Sequence, residues 1–295
     1  MALYCSPIVD MNYLFWITAA IMISAVAVLF MIGRGLQRKE YEMLAREEFR
    51  QVIISLVMGL ALVALASSFC FSLDKMMVKV SPGTSLTHFQ YAENYLIVMI
   101  NNFGIPLIKK LWATSFFATS LSLQGPVEYS GTNPLDGASL IGSAADKITS
   151  YIFVPLVSSL NIQLIVLQAA EAFSFTLLLP CGILLRALRP TRAAGCFLIA
   201  IAFAGYVVYP LTYIINYQIT QSIFPEFEKA TLGDLVVSEL VSDPIHLHEK
   251  LIGIVLGFID QGAILFPQAV LFPLLGFAIT VSFINTFSDF IKDLK

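Results

Sequence analysis

Uncharged apolar runs long enough to cross ~30 Å of hydrocarbon, which takes about 20 residues of helix, recur along the chain. The first two occupy 13–32 and 52–71 and hold no Asp, Glu, Lys or Arg. Between them, in GRGLQRKEYEMLAREEFR, Tyr41, Leu44, Ala45, Phe49 and Val52 recur at helical spacing while Arg38, Lys39, Glu42, Arg46, Glu47 and Arg50 take the other positions. That pattern predicts an amphipathic interfacial helix continuous with the second run. A third run extends over 148–185 with Glu171 as its one charge, and as a single helix it would be about 57 Å long. Either its first half rises out of the bilayer among Ser158, Ser159, Asn161, Gln163 and Gln168, or it makes two short crossings. The lack of any glycine before Gly182 favours one helix, with its crossing part near 164–185. A fourth run covers 193–215, and a fifth, 266–287, is interrupted by Pro267 and Pro273, which a bundle tolerates when neighbours satisfy the freed backbone groups.

The expected fold is therefore an all-α, polytopic transmembrane helix bundle of about five crossings in a single membrane domain. Its N-terminus lies outside and its C-terminus inside. The stretches 84–147 and 216–260 form an external helical cap. YLIVMINNFGIPLIKKLWATSFFATSLSL within the first is apolar but cut by Gly104, Pro106, Lys109 and Lys110, and reads as helices lying at the outer face. The second carries helix-start signals at Thr231 with Asp234 and at Asp243 with Pro244.

Composition supports the bilayer as solvent: of 295 residues, 58% are hydrophobic and 13% charged, against about a quarter charged in soluble domains. The net charge of -3 is small and lends no support to a broad basic surface for nucleic acid. Placement matters more than the total. Arg34, Arg38, Lys39, Arg46, Arg50, Arg186, Arg189, Arg192, Lys292 and Lys295, ten of the 17 basic residues, fall on one side of a five-crossing topology, which the positive-inside rule assigns to the cytoplasm of a cell membrane.

Candidate chemistry is sparse. Glu171 stands in an apolar helix, where an ionisable group is expensive and marks a possible site. Gln168 and Gln163 precede it on the same helix, so the three are candidate pore or pocket residues. Arg38, Arg46, Arg186, Arg189 and Arg192 are candidate cytoplasmic docking residues. Cys5 and Cys70 both fall near the outer surface and could form a disulfide, whereas Cys181 and Cys196 belong to the inner ends of adjacent helices. His246, His248 and Glu249 do not make a metal site, because helix positions two apart face different sides. No phosphate-binding loop, nucleophile elbow or zinc motif occurs, so neither an enzyme nor a cofactor is expected. Energy would have to come from a partner or an ion gradient.

LPCGILLRALRPTRAAGCFLIAIAFAGYVVYPLTYI, from Leu179 to Ile214, reads as a helix end at Pro180 and Gly182, a basic turn, and a second helix packed closely through Gly195, Ala200, Ala202, Ala204 and Gly205. With the basic amphipathic helix and the external N-terminus, it resembles a group of archaeal polytopic membrane proteins similar to the membrane component of the Ced DNA-import system. Through that system it resembles the polytopic inner-membrane subunit of bacterial type IV secretion and conjugation. The resemblance implies an oligomeric membrane platform or channel working with a cytoplasmic ATPase and other secretion or pilus subunits, with DNA or protein as cargo. The alternative from the residues alone is a secondary transporter of a small solute, with Glu171 in the membrane.

Overall fold

The computed structural model describes residues 7–35, 39–77, 87–123, 136–223 and 247–293. Every regular element among them is helical. In chain order these are α1 (Pro7–Gly35), α2 (Lys39–Met77), α3 (His88–Val98), α4 (Ile105–Ser122), α5 (Asp136–Ile148), α6 (Val154–Phe173), α7 (Leu179–Ala187), α8 (Arg192–Phe203), α9 (Tyr209–Ile223), α10 (Leu247–Phe266) and α11 (Phe272–Asp293). The pairs α3–α4, α5–α6, α6–α7, α8–α9 and α10–α11 continue into one another through π-helical turns at Met99–Gly104, Thr149–Phe153, Ser174–Leu178, Ala204–Val208 and Pro267–Leu271.

Helical runs long and apolar enough to cross a membrane are Phe15–Gly35, Ala45–Phe69, His88–Ser122, Gly137–Ala187, Arg192–Ile223 and Val255–Asp293. The protein is a multi-pass helical membrane protein. The number of span-length helices is six among the described residues, not the five expected. The addition is His88–Ser122, whose mean hydropathy of 1.2 is the lowest of the set. Gly104 and Pro106 do not divide it, because a π-helical turn carries the backbone through both. For the same reason the helix does not end at Pro180 and Gly182 but runs on to Ala187. The third run is a single helical stretch, and it begins at Asp136, earlier than its apolar pattern. The start signals at Thr231, Asp234, Asp243 and Pro244 lie outside the described residues.

The chain folds as two compact units, one of Met1–Glu93, Val166–Ile215 and Leu275–Lys295, the other of Asn94–Ile165 and Asn216–Leu274. In the first, α1 packs along α2, and both pack on α7, which pairs with α8. Phe15, Ala19, Met22 and Val26 are the buried stripe of α1; Ala45, Glu48, Val52, Ser55, Leu62 and Ala66 are that of α2. Steps of three, four and seven place each set on one face. Beyond the charged first turns of α2 the opposite faces are apolar too, with Trp16 62% and Val57 61% exposed. Helices that are hydrophobic all round belong in lipid or against other subunits. In the second unit, α4 packs on α5, and α10 packs on both. There Ser115 Oγ donates to the Gly142 carbonyl at 2.9 Å, a contact that the missing side chain of Gly142 permits.

Candidate functional site

The π-helical turns share one cause. At each, the residue closing the turn donates its N–H five residues back: Ile105 to Ile100, Val154 to Thr149, Leu179 to Ser174, Tyr209 to Ala204 and Phe272 to Pro267. The next residue is always proline: Pro106, Pro155, Pro180, Pro210 and Pro273. Proline has no N–H, and its ring crowds the carbonyl four residues back; widening the preceding turn relieves that clash without ending the helix. Two consecutive carbonyls thereby lose their helical donors. One is skipped by the five-residue bond, and the other faces the proline nitrogen. In a medium without water these oxygens need side-chain partners.

Among the described residues, side chains supply them at the Pro210 and Pro273 bulges. Opposite Pro210, the Tyr206 carbonyl accepts from His88 Nε2 at 3.1 Å, which requires the ring proton on Nε2. Opposite Pro273, in the second unit, the Ala269 carbonyl accepts from Ser159 Oγ at 2.9 Å and from Gln163 Nε2 at 3.2 Å. The adjacent Gln268 donates from Nε2 to Thr220 Oγ1 at 2.9 Å and accepts from the Tyr95 hydroxyl. Gln163 is thus a buried clamp on a broken backbone within the second unit.

Glu171 is half-buried in the first unit, at the approach to the Ser174–Leu178 bulge. Ser174 and Phe175, three and four residues on, share its helix face. Both pack on the Ala204–Val208 bulge. Ser174 Oγ lies where a Cβ on Gly205 would come within 2.8 Å, and the Phe175 ring meets Tyr206 edge-on at 4.1 Å between centroids. Phe89 and His88 close the other sides of the Tyr206 ring at 5.3 and 5.2 Å. Tyr206 is 1% exposed, and its hydroxyl has no hydrogen-bond partner among the described residues. Glu93 is half-buried one turn beyond Phe89. Gln168 is exposed. Glu93, His88 and Tyr206 are not marked by the sequence. The available signal is an apolar residue before Pro-Leu, repeated at Pro106, Pro155, Pro210 and Pro273.

The basic turn is built from inside. Gly182 and Gly195 bring α7 and α8 together so closely that a Cβ on Gly195 would lie 2.7 Å from both the Arg186 Cα and the Gly182 carbonyl oxygen. Arg186 is 2% exposed. It donates to the Ile291 carbonyl at 3.2 Å, near the end of α11, and contacts Met58 Sδ. A cation that satisfies a late helix carbonyl suits both the hydrogen bonding and the dipole there, and it leaves Arg186 no surface with which to dock a partner. Arg192 keeps partial exposure and stands 4.0 Å from Glu48 of α2, while Thr191 Oγ1 donates to the Leu185 carbonyl at 2.8 Å. Arg46 is exposed. Arg38 and Cys5 lie outside the described residues, as do the side chains of Arg189 and Cys70. No group of three His, Cys, Asp or Glu able to hold a metal occurs among the described residues. No family model, curated protein or solved structure matches this chain.

Proposed function

We propose that the protein is a membrane platform or channel subunit of a type IV secretion-like machine that moves DNA or protein, working in the cytoplasmic membrane beside an ATPase. The observation that supports this reading is apolar surface left open on both units. Trp16 and Val57 face outward on the first, and Trp112, Phe116, Leu140 and Tyr151 on the second. Surface of that kind is covered by lipid or by neighbouring subunits. Arg34 at the end of α1 and the Arg186–Arg192 turn stand on the cytoplasmic side in this reading, which requires an even number of crossings between them. Isolation of the crosslinked chain from its native membrane tests it. Copurification of a hexameric ATPase supports the machine, and a solitary chain that performs ion-coupled uptake in proteoliposomes contradicts it.

Secondary transport remains the second reading. Glu171 beside two proline-broken helices is the arrangement that supports it, since transporters place ion sites at such breaks.

A further inference from the structure

Within the first unit, a groove with a volume of about 360 Å³ opens between α1, α2 and α7. Ile21, Ala25 and Leu29 of α1, Val52 of α2 and Leu184 of α7 line it, and Pro190 brings the basic turn to its wall. The two turns of α1 along it make it about 12 Å long. Its wall is apolar except for Glu48, whose Oε2 stands 4.0 Å from Arg192 Nη2, too far for a hydrogen bond. That distance sets Arg192 at the rim of the groove. The Arg192 Nε has no hydrogen-bond partner among the described residues. Beside it, Thr191 gives its hydroxyl to the Leu185 carbonyl, and α8 begins without a side-chain cap. On the other side of α1, a second groove of about 350 Å³ repeats the combination, with Ala27 and Phe30 lining it beside Arg46.

We propose that the groove between α1, α2 and α7 holds an acyl chain of an anionic phospholipid whose phosphate is bound by Arg192 at its rim. Arginine matches phosphate oxygens in both charge and geometry, and the uncapped start of α8 favours an anion at the same turn. Basic pockets between transmembrane helices are where anionic headgroups bind. Glu48, with its side chain 11% exposed, attracts the arginine from within, whereas the Arg192 side chain, 36% exposed, can meet a headgroup. Size decides against a helix from a second copy. A helix with its side chains is about 10–12 Å across, so 12 Å of it would take about three times the volume of the groove, and an acyl chain is slimmer. The site is independent of both readings of function, since it requires only that the turn lie at a membrane surface.

The test is thermal unfolding of the full-length chain in detergent micelles carrying either dioleoylphosphatidylglycerol or dioleoylphosphatidylcholine, which share their acyl chains. Phosphatidylglycerol at about ten times its Kd raises the midpoint by roughly 3–6 °C over phosphatidylcholine. Arg192→Gln removes most of that rise, and Arg192→Lys keeps part of it. Ala25→Phe removes it too, by filling the groove. Ala25 lies on the exposed side of α1, so the midpoint of Ala25→Phe in phosphatidylcholine stays within about 2 °C of the parent, and it carries the test should Arg192→Gln not fold. Equal midpoints in the two lipids overturn the proposal. A response lost in Arg192→Gln but intact in Ala25→Phe would mark diffuse charge attraction, and one lost only in Ala25→Phe would free the phosphate from Arg192; either overturns it. Equal stabilisation by inorganic phosphate in phosphatidylcholine micelles would leave a bare anion site and overturn the lipid assignment, as would a lipid response accompanied by a change of oligomeric state in light scattering.

Discussion

The pairing of a proline with a distant side-chain donor makes a quantitative prediction at Pro210. Tyr206 has a carbonyl that an ordinary residue at 210 would satisfy from its own N–H, and His88 Nε2 takes that place at 3.1 Å. In His88→Phe the ring, and hence its packing on Phe89 and Tyr206, is retained while the donor is lost. A buried carbonyl then goes unpaired, at a cost of about 1–3 kcal/mol. For a chain of this size that is a fall of several degrees in the unfolding midpoint, at about 2–4 °C per kcal/mol. In a Pro210→Ala background the helix can close normally, the alanine backbone supplies the missing N–H, and the same His88→Phe change costs less than about 0.5 kcal/mol. Equilibrium unfolding of the detergent-solubilised chain across the four members of the cycle measures the coupling, expected at about 1–2 kcal/mol. An equal penalty for His88→Phe in both backgrounds would refute the link between the proline and the histidine and leave His88 as a packing residue.

The other predictions concern the clamps. Gly195→Ala places a methyl group against the Arg186 backbone and the Gly182 carbonyl, so it should destabilise by about 1–3 kcal/mol, and Gly195→Val should do more, read by the same unfolding assay. Arg186→Met keeps the stem but removes the donor to Ile291; a loss of about 1.5–3 kcal/mol is expected, with Arg186→Lys intermediate. In the second unit, Gln163→Leu should be milder, because Ser159 still donates to the Ala269 carbonyl at 2.9 Å. Adding Ser159→Ala to it should cost more than the two single changes together.

The parts legible in the sequence are those in which hydropathy acts without competition. α1, α2 and the α8–α9 run declare themselves through uncharged apolar stretches. Prolines are the main source of error, since X-Pro reads locally as a break, whereas here a widened turn carries the helix through it. The partners that make this tolerable lie far along the chain: His88 is 118 residues from Tyr206, and no local pattern announces such a pair. Arg186 reads as a surface charge because it opens a basic turn. Its register tells otherwise, since Leu179, Gly182, Ile183 and Arg186 share one helix face and all four are buried. Glu171 is identifiable as an ionisable group within an apolar run, but Glu93 and Tyr206 come into view only through the packing of three helices.

In the proposed topology of the multi-pass bundle, the two arginine-bearing turns stand on the same, inner side. Gly35 at the end of α1 and Ala193 at the start of α8 are both exposed, and each can be replaced by cysteine in a chain whose native cysteines have been removed. Labelling intact cells and then opened cells with a membrane-impermeant thiol reagent reads both positions. Gly35→Cys and Ala193→Cys are expected to be protected in intact cells and to react only after the membrane is opened. Reaction of one of them from outside, as a crossing by every span-length helix would require, contradicts that topology.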